Sequence, residues 1–242
     1  MAKRARLDLL LVERGIFETR TKAAAAVMAG LVLVDGKPAT KAGEAVSEES
    51  ELSLKSDPCP YVSRGGLKLR AALDAFHIAA EGRICLDVGA STGGFTDVLL
   101  QAGAAKVYAI DVGTAQLHSK IKADPRVVSR ENTHAKNILP EDFLPRPSLA
   151  VIDVSFISLA QVLPFVLPCL EKPFELVVLV KPQFEVGPKL APKGVVRDAA
   201  VRAQAVDKIR EAAKALGLVE RGVIESPAKG PKGNVEYLLW LC

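Results

Sequence analysis

Residues 86–97, LDVGASTGGFTD, decide the fold. The run that leads into them, RICLDVG (83–89), is short and apolar, the mark of a buried strand. Gly89, Gly93 and Gly94 let the backbone turn tightly and pass close to a ligand, and a helix is predicted at once over 94–102. Strand, glycine turn and helix together open a doubly wound α/β domain, in which ligands bind outside the carboxyl ends of the strands. Asp87 stands where it can orient the loop.

Outward from this stretch the alternation continues. Strands are predicted in KVYAIDV (106–112), VVSR (127–130), LAVIDVS (149–155), ELVVLVK (175–181), VERGVIES (219–226) and NVEYLLWL (234–241). Helices are predicted near 114–122, 158–167 and 199–215. The pattern implies a mostly parallel, seven-stranded sheet covered on both faces, with the last two runs as an antiparallel edge hairpin.

The glycine spacing is G-x-x-x-G-G. It is not the G-x-G-x-x-G dinucleotide fingerprint, and no G-x-x-x-x-G-K-[ST] phosphate loop occurs. Asp111 ends the second strand, where a carboxylate accepts hydrogen bonds from ribose hydroxyls. A glycine turn and a ribose-binding acid without a pyrophosphate fingerprint suit S-adenosylmethionine (SAM), with NAD as the alternative. A turn that serves packing alone is the weaker reading, because an acid stands at each of two neighbouring strand ends.

Four ionisable residues stand in unusual places. Lys68 lies in SRGGLKLRAAL at an expected helix start, Asp153 ends LAVID, Lys181 ends ELVVLVK, and Glu236 interrupts the last strand. A charge in so apolar a strand needs a partner. Taken singly, each has an ordinary reading as a solvated or loop-holding side chain. Strand ends face the ligand crevice, so the four are expected to converge there. A ribose hydroxyl is a poor nucleophile until its proton leaves. A lysine beside a second cation in an apolar setting can serve as the base, and the other charges stabilise the alkoxide that develops.

The chain has 242 residues, enough for one large domain or a medium and a small one. At 49% hydrophobic and 25% charged residues it is not a disordered chain. No apolar run reaches the roughly 20 residues that span a bilayer. Asp8 and Glu13 interrupt the basic start, which therefore does not read as a signal peptide, and a cytoplasmic protein without stable membrane association is expected. The net charge, 32 − 28 = +4, permits an anionic partner without demanding one. The cysteines 59, 85, 169 and 242 lack metal-ligand spacing and the three histidines are scattered, so reduced thiols are expected and a zinc site is not.

Residues 1–41 carry eight Lys/Arg and four Asp/Glu, and residues 42–62 one Lys/Arg and five Asp/Glu. The break near SDPCPYVSRGG (56–66) suggests a small domain over 1–58, a linker over 59–66 and the larger domain over 67–242. In the small domain RLDLLLVERG reads as a helix closed by Gly15 and KAAAAVMAG as a second, capped by Thr19 or Thr21. LVLVDGKPA reads as a strand and an Asp-Gly turn.

This segment, from Arg4 to about Lys55, resembles the S4-type RNA-binding domain. Arg4, Arg6, Arg20, Lys22 and Lys37 are its expected phosphate contacts. From charge alone they are ordinary solvated residues. Over nearly the whole chain, SRGGLKL, LDVGASTGGFTD, VYAIDVG, DVSFISL, LVKPQFE, KGVVRD and KGPKGNVEYL resemble the TlyA (haemolysin A) family. Its second domain is a Rossmann-like SAM methyltransferase of the FtsJ type. The resemblance implies SAM-dependent 2′-O-ribose methylation of ribosomal RNA at cytidine. It implies a tetrad at Lys68, Asp153, Lys181 and Glu236. It also implies cofactor contacts at Asp87, Gly89, Ser91, Gly93, Gly94, Phe95, Asp111, Asn132 and Asp153. The stretch ENTHAKN (131–137) departs from the family's E-x-T-N-A-R at His134 and Lys136. Arg64, Lys189, Lys193, Lys229 and Lys232 are expected to contact RNA. Phe156 and Phe184 read as core or crevice wall, with base stacking as the alternative. Two other functions compete: a membrane-lytic protein, which no amphipathic membrane segment supports, and a catalytically silent RNA-binding assembly factor. The intact glycine loop and tetrad argue against the second.

Overall fold

A computed structural model describes residues 3–54, 59–230 and 232–242. The chain forms two compact units, residues 1–60 and 61–242.

In the first unit, β1 (Arg4–Arg6) runs into α1 (Leu7–Glu13), followed by α2 (Arg20–Met28), β2 (Val32–Val34), β3 (Lys37–Pro38), β4 (Ala45–Ser47) and β5 (Leu52–Leu54). Leu7, Leu10 and Leu11 recur at helical spacing and are buried against Ala23, Ala26 and Val27 of α2. Thr19 caps α2 by accepting the Lys22 N–H. Asp35 and Gly36 both have positive φ, 50° and 74°, the conformation of a two-residue hairpin turn between β2 and β3. β1 pairs antiparallel with β4, and β2 with β5. Strands this short give no periodic signal of their own, and β1, β4 and β5 were not foreseen.

The second unit begins with α3 (Gly65–Phe76) and continues through β6 (Ile84–Val88), α4 (Gly94–Gln101), β7 (Lys106–Ile110), α5 (Ser119–Lys122), β8 (Val127–Arg130), β9 (Leu149–Ile152), α6 (Leu159–Val166), β10 (Glu175–Val180), α7 (Pro182–Glu185), α8 (Ala199–Ala215), β11 (Glu220–Glu225) and β12 (Tyr237–Leu241). The sheet order is β11-β12-β10-β9-β6-β7-β8. Only β12 is antiparallel to its neighbours, β10 and β11. All seven expected strands are present. Successive side chains alternate between two cores: Leu86, Ala150, Ile152 and Val178 pack in one, and Cys85, Leu149, Val151 and Val177 in the other. β9 is buried along its whole length, which is why it reads as an unbroken apolar run. Burial pushes the Cys85 thiol up to about 12 and the Cys169 thiol to about 11, so both are inert packing groups.

Several boundaries differ from expectation. The helix expected over 114–122 occupies only Ser119–Lys122, because Ala115 takes a positive φ and the preceding residues form the wall of a cleft. The segment expected as a linker over 59–66 is packed chain from Tyr61 onward. The Val62 N–H donates to the buried Asp97 carboxylate at 2.9 Å, and Tyr61 packs on the Leu69 core. Glu236 lies one residue ahead of β12 instead of inside it, so its carboxylate stands at the rim of the sheet.

Candidate active site

The order in which strands are added reverses between the parallel neighbours β6 and β9, and the ends of these strands and of β7 border a cleft of about 690 Å³. Its walls are largely apolar, with Val88, Ile110, Val112 and Val162, and its polar groups include Asp111, Asp153, Ser91 and His134. Gly89 is what allows the strand ends to come this close. Its φ is +87°, and a Cβ there would overlap the Asp153 carbonyl oxygen. Asp111 accepts the Ser91 N–H at 2.8 Å and the Gly113 N–H at 2.7 Å, which braces both loops around one carboxylate. Each oxygen keeps a further lone pair for a hydroxyl donor.

The Gly89→Ala variant is expected to weaken cofactor binding at least tenfold and to destabilise the unit by roughly 2–3 kcal/mol, because it combines a left-handed backbone with an overlap against a carbonyl. Calorimetric titration and urea unfolding check it.

The expected cofactor residues divide. Gly89, Ser91, Asp111 and Asp153 line the cleft. Asp87 lies beneath it, fully buried, and accepts the Thr96 hydroxyl at 2.6 Å. Gly93 is the N-cap of α4, with φ +92°. Gly94 makes room for a neighbouring segment instead of a ligand, since a Cβ there would strike the Ser63 hydroxyl. The Phe95 side chain is buried in the core, packed with Leu69, Val98 and Leu99, and does not line the cleft. Asn132, also expected at the cofactor, is exposed, lies outside the cleft wall and accepts the Thr114 hydroxyl at 2.7 Å. Thr133 and His134, the next residues, line the cleft in its place. His134 caps the one-turn helix 135–137 by accepting the Lys136 N–H, while Lys136 itself is exposed. Gln116, Gln161 and the run Val154–Ile157 also line the cleft and had no local signal beyond their nearness to strand ends.

The four ionisable residues meet as two ion pairs. Lys181 Nζ lies 2.5 Å from Asp153 Oδ1 and donates to the Ser155 hydroxyl at 2.9 Å. Lys68 Nζ, in the first turn of α3, lies 2.5 Å from Glu236 Oε2. Sheet register relates the pairs. Val180 stands opposite Tyr237, so one residue further Lys181 faces Glu236 at the rim. Asp153, Lys181 and Glu236 therefore follow one another across the ends of β9, β10 and β12, and Asp153 is shared with the cleft. The Glu236 and Lys68 side chains are 0% and 10% exposed, so this pair is almost wholly withdrawn from water. Gly230 permits it, because a Cβ there would stand 2.5 Å from Glu236 Oε1.

Asp87 is the most perturbed carboxyl here. Burial above all, then the charges of Asp153 and Asp111, raise it to about 7 despite the Thr96 hydrogen bond.

At the mouth, Phe156 is 91% exposed with φ +65°, and its ring centroid lies 5.0 Å from that of Phe184. It is no core residue. Nearby, Asn234 joins two basic loops: its amide donates to the Gly194 carbonyl at 2.8 Å and accepts the Val196 N–H at 2.9 Å. Lys189, Lys193, Lys229 and Lys232 are exposed on these loops.

In the first unit the basic residues are partly engaged. Arg6 and Arg20 converge on the buried Asp8 carboxylate, at 3.0 and 2.9 Å, and hold it well below the usual carboxylate range. Lys22 pairs with Glu18, and Arg4 donates to the Ala45 carbonyl. Lys37 is exposed, as is Arg64 at the start of the second unit.

Residues 61–242 match the FtsJ-like methyltransferase family, and residues 5–52 match the S4 domain. The 16S/23S rRNA (cytidine-2′-O)-methyltransferase TlyA of Mycobacterium tuberculosis is 51% identical over 100% of this chain and 91% of its own length. Hemolysin A of Brachyspira hyodysenteriae is 42% identical over 96% of this chain and 98% of its own length. A solved structure from Streptococcus thermophilus, which bears a provisional hemolysin name, superposes with a TM-score of 0.78 at 44% identity, covering 100% of this chain and 89% of that one. With its seven-stranded sheet, its cleft at the β6–β9 switch and a family match that runs from Tyr61 to the last residue, the chain belongs to the FtsJ-like methyltransferases.

Proposed function

We propose that this protein methylates a ribose 2′-hydroxyl of ribosomal RNA, at cytidine, with SAM as the methyl donor. The reading is carried by one observation: the row of strand ends from Asp111 through Gly89 and Asp153 to Lys181 and Glu236, which joins a nucleoside-sized cleft to two paired amines and acids. The cleft suits the donor, because its walls are apolar, Asp111 offers acceptors for ribose hydroxyls, and Gly89 keeps the floor free of a side chain. SAM would supply an electrophilic methyl group on a sulfonium, whose sulfur leaves as a neutral thioether when the methyl passes to oxygen.

The remaining work falls to the chain's own residues. Lys181, held by Asp153 and Ser155, stands where its amine, once it has released its own proton, takes the proton of a hydroxyl at the cleft edge. The Lys68–Glu236 pair adds a fixed, nearly dry charge pair beside it, preorganised toward the developing alkoxide. The exposed Phe156, backed by Phe184, offers a face on which an unstacked base rests, so that its ribose is presented to the lysine. The basic loops that Asn234 joins supply phosphate contacts next to Glu236. The S4 unit, with Arg6 and Arg20 clustered on Asp8, adds RNA affinity that is independent of the chemistry.

The test is methyl transfer from labelled SAM to ribosomal RNA by purified protein, followed by mapping of 2′-O-methyl positions. A defined 2′-O-methylcytidine that appears only with active protein is the expected result. Incorporation into a base, or none at all, refutes the reading.

A further inference from the structure

We propose that Glu185 is a positioning residue that holds the Phe156–Phe184 pair in place over the site. The inference rests on the reading of that pair as the platform for a base. Glu185 closes α7, the short turn that follows Lys181, and its side chain is only 2% exposed. Its Oε1 accepts the Leu159 N–H at 2.9 Å, and its Oε2 accepts the Ser158 hydroxyl at 2.5 Å. Lys208, from α8, donates to the Glu185 backbone carbonyl at 2.7 Å and approaches Oε2 at 3.3 Å. One carboxylate thus ties the loop after β9 to the loop after β10 and both to α8.

The two loops are already joined once, at the strand ends, by the Asp153–Lys181 pair. Glu185 joins them again at their far ends. Between the two ties lie the aromatic residues, Phe156 two positions before Ser158 and Phe184 one position before Glu185. Phe156 is exposed and left-handed, so neither burial nor backbone preference holds it, and the ties on either side must. A cap for α6 does not account for the arrangement. Ser158 already caps that helix by accepting the Ala160 N–H, and capping has no need of Lys208. The clamp also frames a second cavity of about 580 Å³ beneath the pair, where Gln161, Gln183 and Lys208 line the wall.

Glu185→Gln places an amide donor where two donors now point, and so undoes the clamp without a change of shape. With purified ribosomal RNA and labelled SAM, the full-length variant is expected to raise KM for RNA about tenfold, the scale of a misplaced binding group, while the dissociation constant for SAM stays within about twofold. Lys208→Met, at a half-exposed side chain, is expected to move KM for RNA in the same direction by about threefold, and decides the matter where Glu185→Gln folds poorly. In a Phe156→Ala background, Glu185→Gln is expected to change KM by less than about twofold, because the residue it positions is gone. Equal effects of Glu185→Gln in both backgrounds, or a lower unfolding midpoint with KM unchanged, overturn the inference. Phe156→Ala with unchanged KM removes the platform and the inference with it. Phe156→Ala with a raised KM and a silent clamp removes the inference alone.

Discussion

Lys181→Met is expected to lower kcat by roughly 10²–10⁴ while SAM binding stays close to that of the parent protein. The side chain is 12% exposed and fixed by two partners, Asp153 at 2.5 Å and the Ser155 hydroxyl at 2.9 Å, so the amine has one position at the cleft edge. Methionine keeps most of the stem's volume and removes the amine that, in its neutral form, takes the hydroxyl proton. The cofactor cleft loses no wall, because Lys181 does not line it. The variant also leaves Asp153, 21% exposed, without its cation, a modest cost at a partly hydrated site. Lys68 differs in kind. Its removal strands a Glu236 side chain with no exposure at all, and loss of one partner from a buried pair costs about 3–5 kcal/mol. Lys181 is therefore the cleaner probe of chemistry. Single-turnover methyl transfer with saturating RNA and SAM, beside a SAM titration, reads the two effects separately. A kcat within tenfold of the parent protein removes Lys181 from the proton path.

Much of this site can be read from the chain because its parts stand at the ends of strands that are buried on both faces. Such strands are unbroken apolar runs, and a charge that ends one is conspicuous, as at Asp111, Asp153 and Lys181. Glu236 reads in the sequence as an interruption of a strand, whereas it precedes one, and the rim position is what lets it meet Lys68. Phe95 was drawn into the cofactor set by its glycine neighbours. Its spacing to Val98 and Leu99, three and four residues on, is that of a helix face turned to the core. Contacts between distant segments left no local trace. Glu185 reaches Ser158 across 27 positions, and no periodicity or turn chemistry announces it. Asp8 was visible as a charge inside LDLLL. That it gathers Arg6 and Arg20 follows from the packing of α1 against α2.

Asp87 should make the second unit more stable in mild acid than at neutral pH. Its carboxyl lies near 3.8 in an unfolded chain and is raised to about 7 in the folded one, chiefly by burial. Between these values the folded state holds a proton that the unfolded state has released, so stability falls as pH rises from about 4 to about 7 and is level above. A gap of about three pH units at ~1.4 kcal/mol each sets an effect of order 4 kcal/mol. The carboxylates held low, Asp8, Asp74, Asp124 and Asp142, act in the opposite sense, with stability that is lost only as pH falls below the ordinary carboxylate range. The two windows do not overlap. Asp87→Asn should abolish the slope between pH 4 and 7: the amide oxygen still accepts the Thr96 hydroxyl, and no charge is left to bury. The single tryptophan, Trp240 on β12, makes the measurement specific, since its fluorescence follows the second unit alone. Urea midpoints at pH 5 and pH 8 should differ in the parent protein and coincide in Asp87→Asn. A slope that survives the substitution would place the proton on another group. A parent protein with no slope would mean that Asp87 is ionised in the folded state, with its charge held by the Thr96 hydroxyl and backbone N–H.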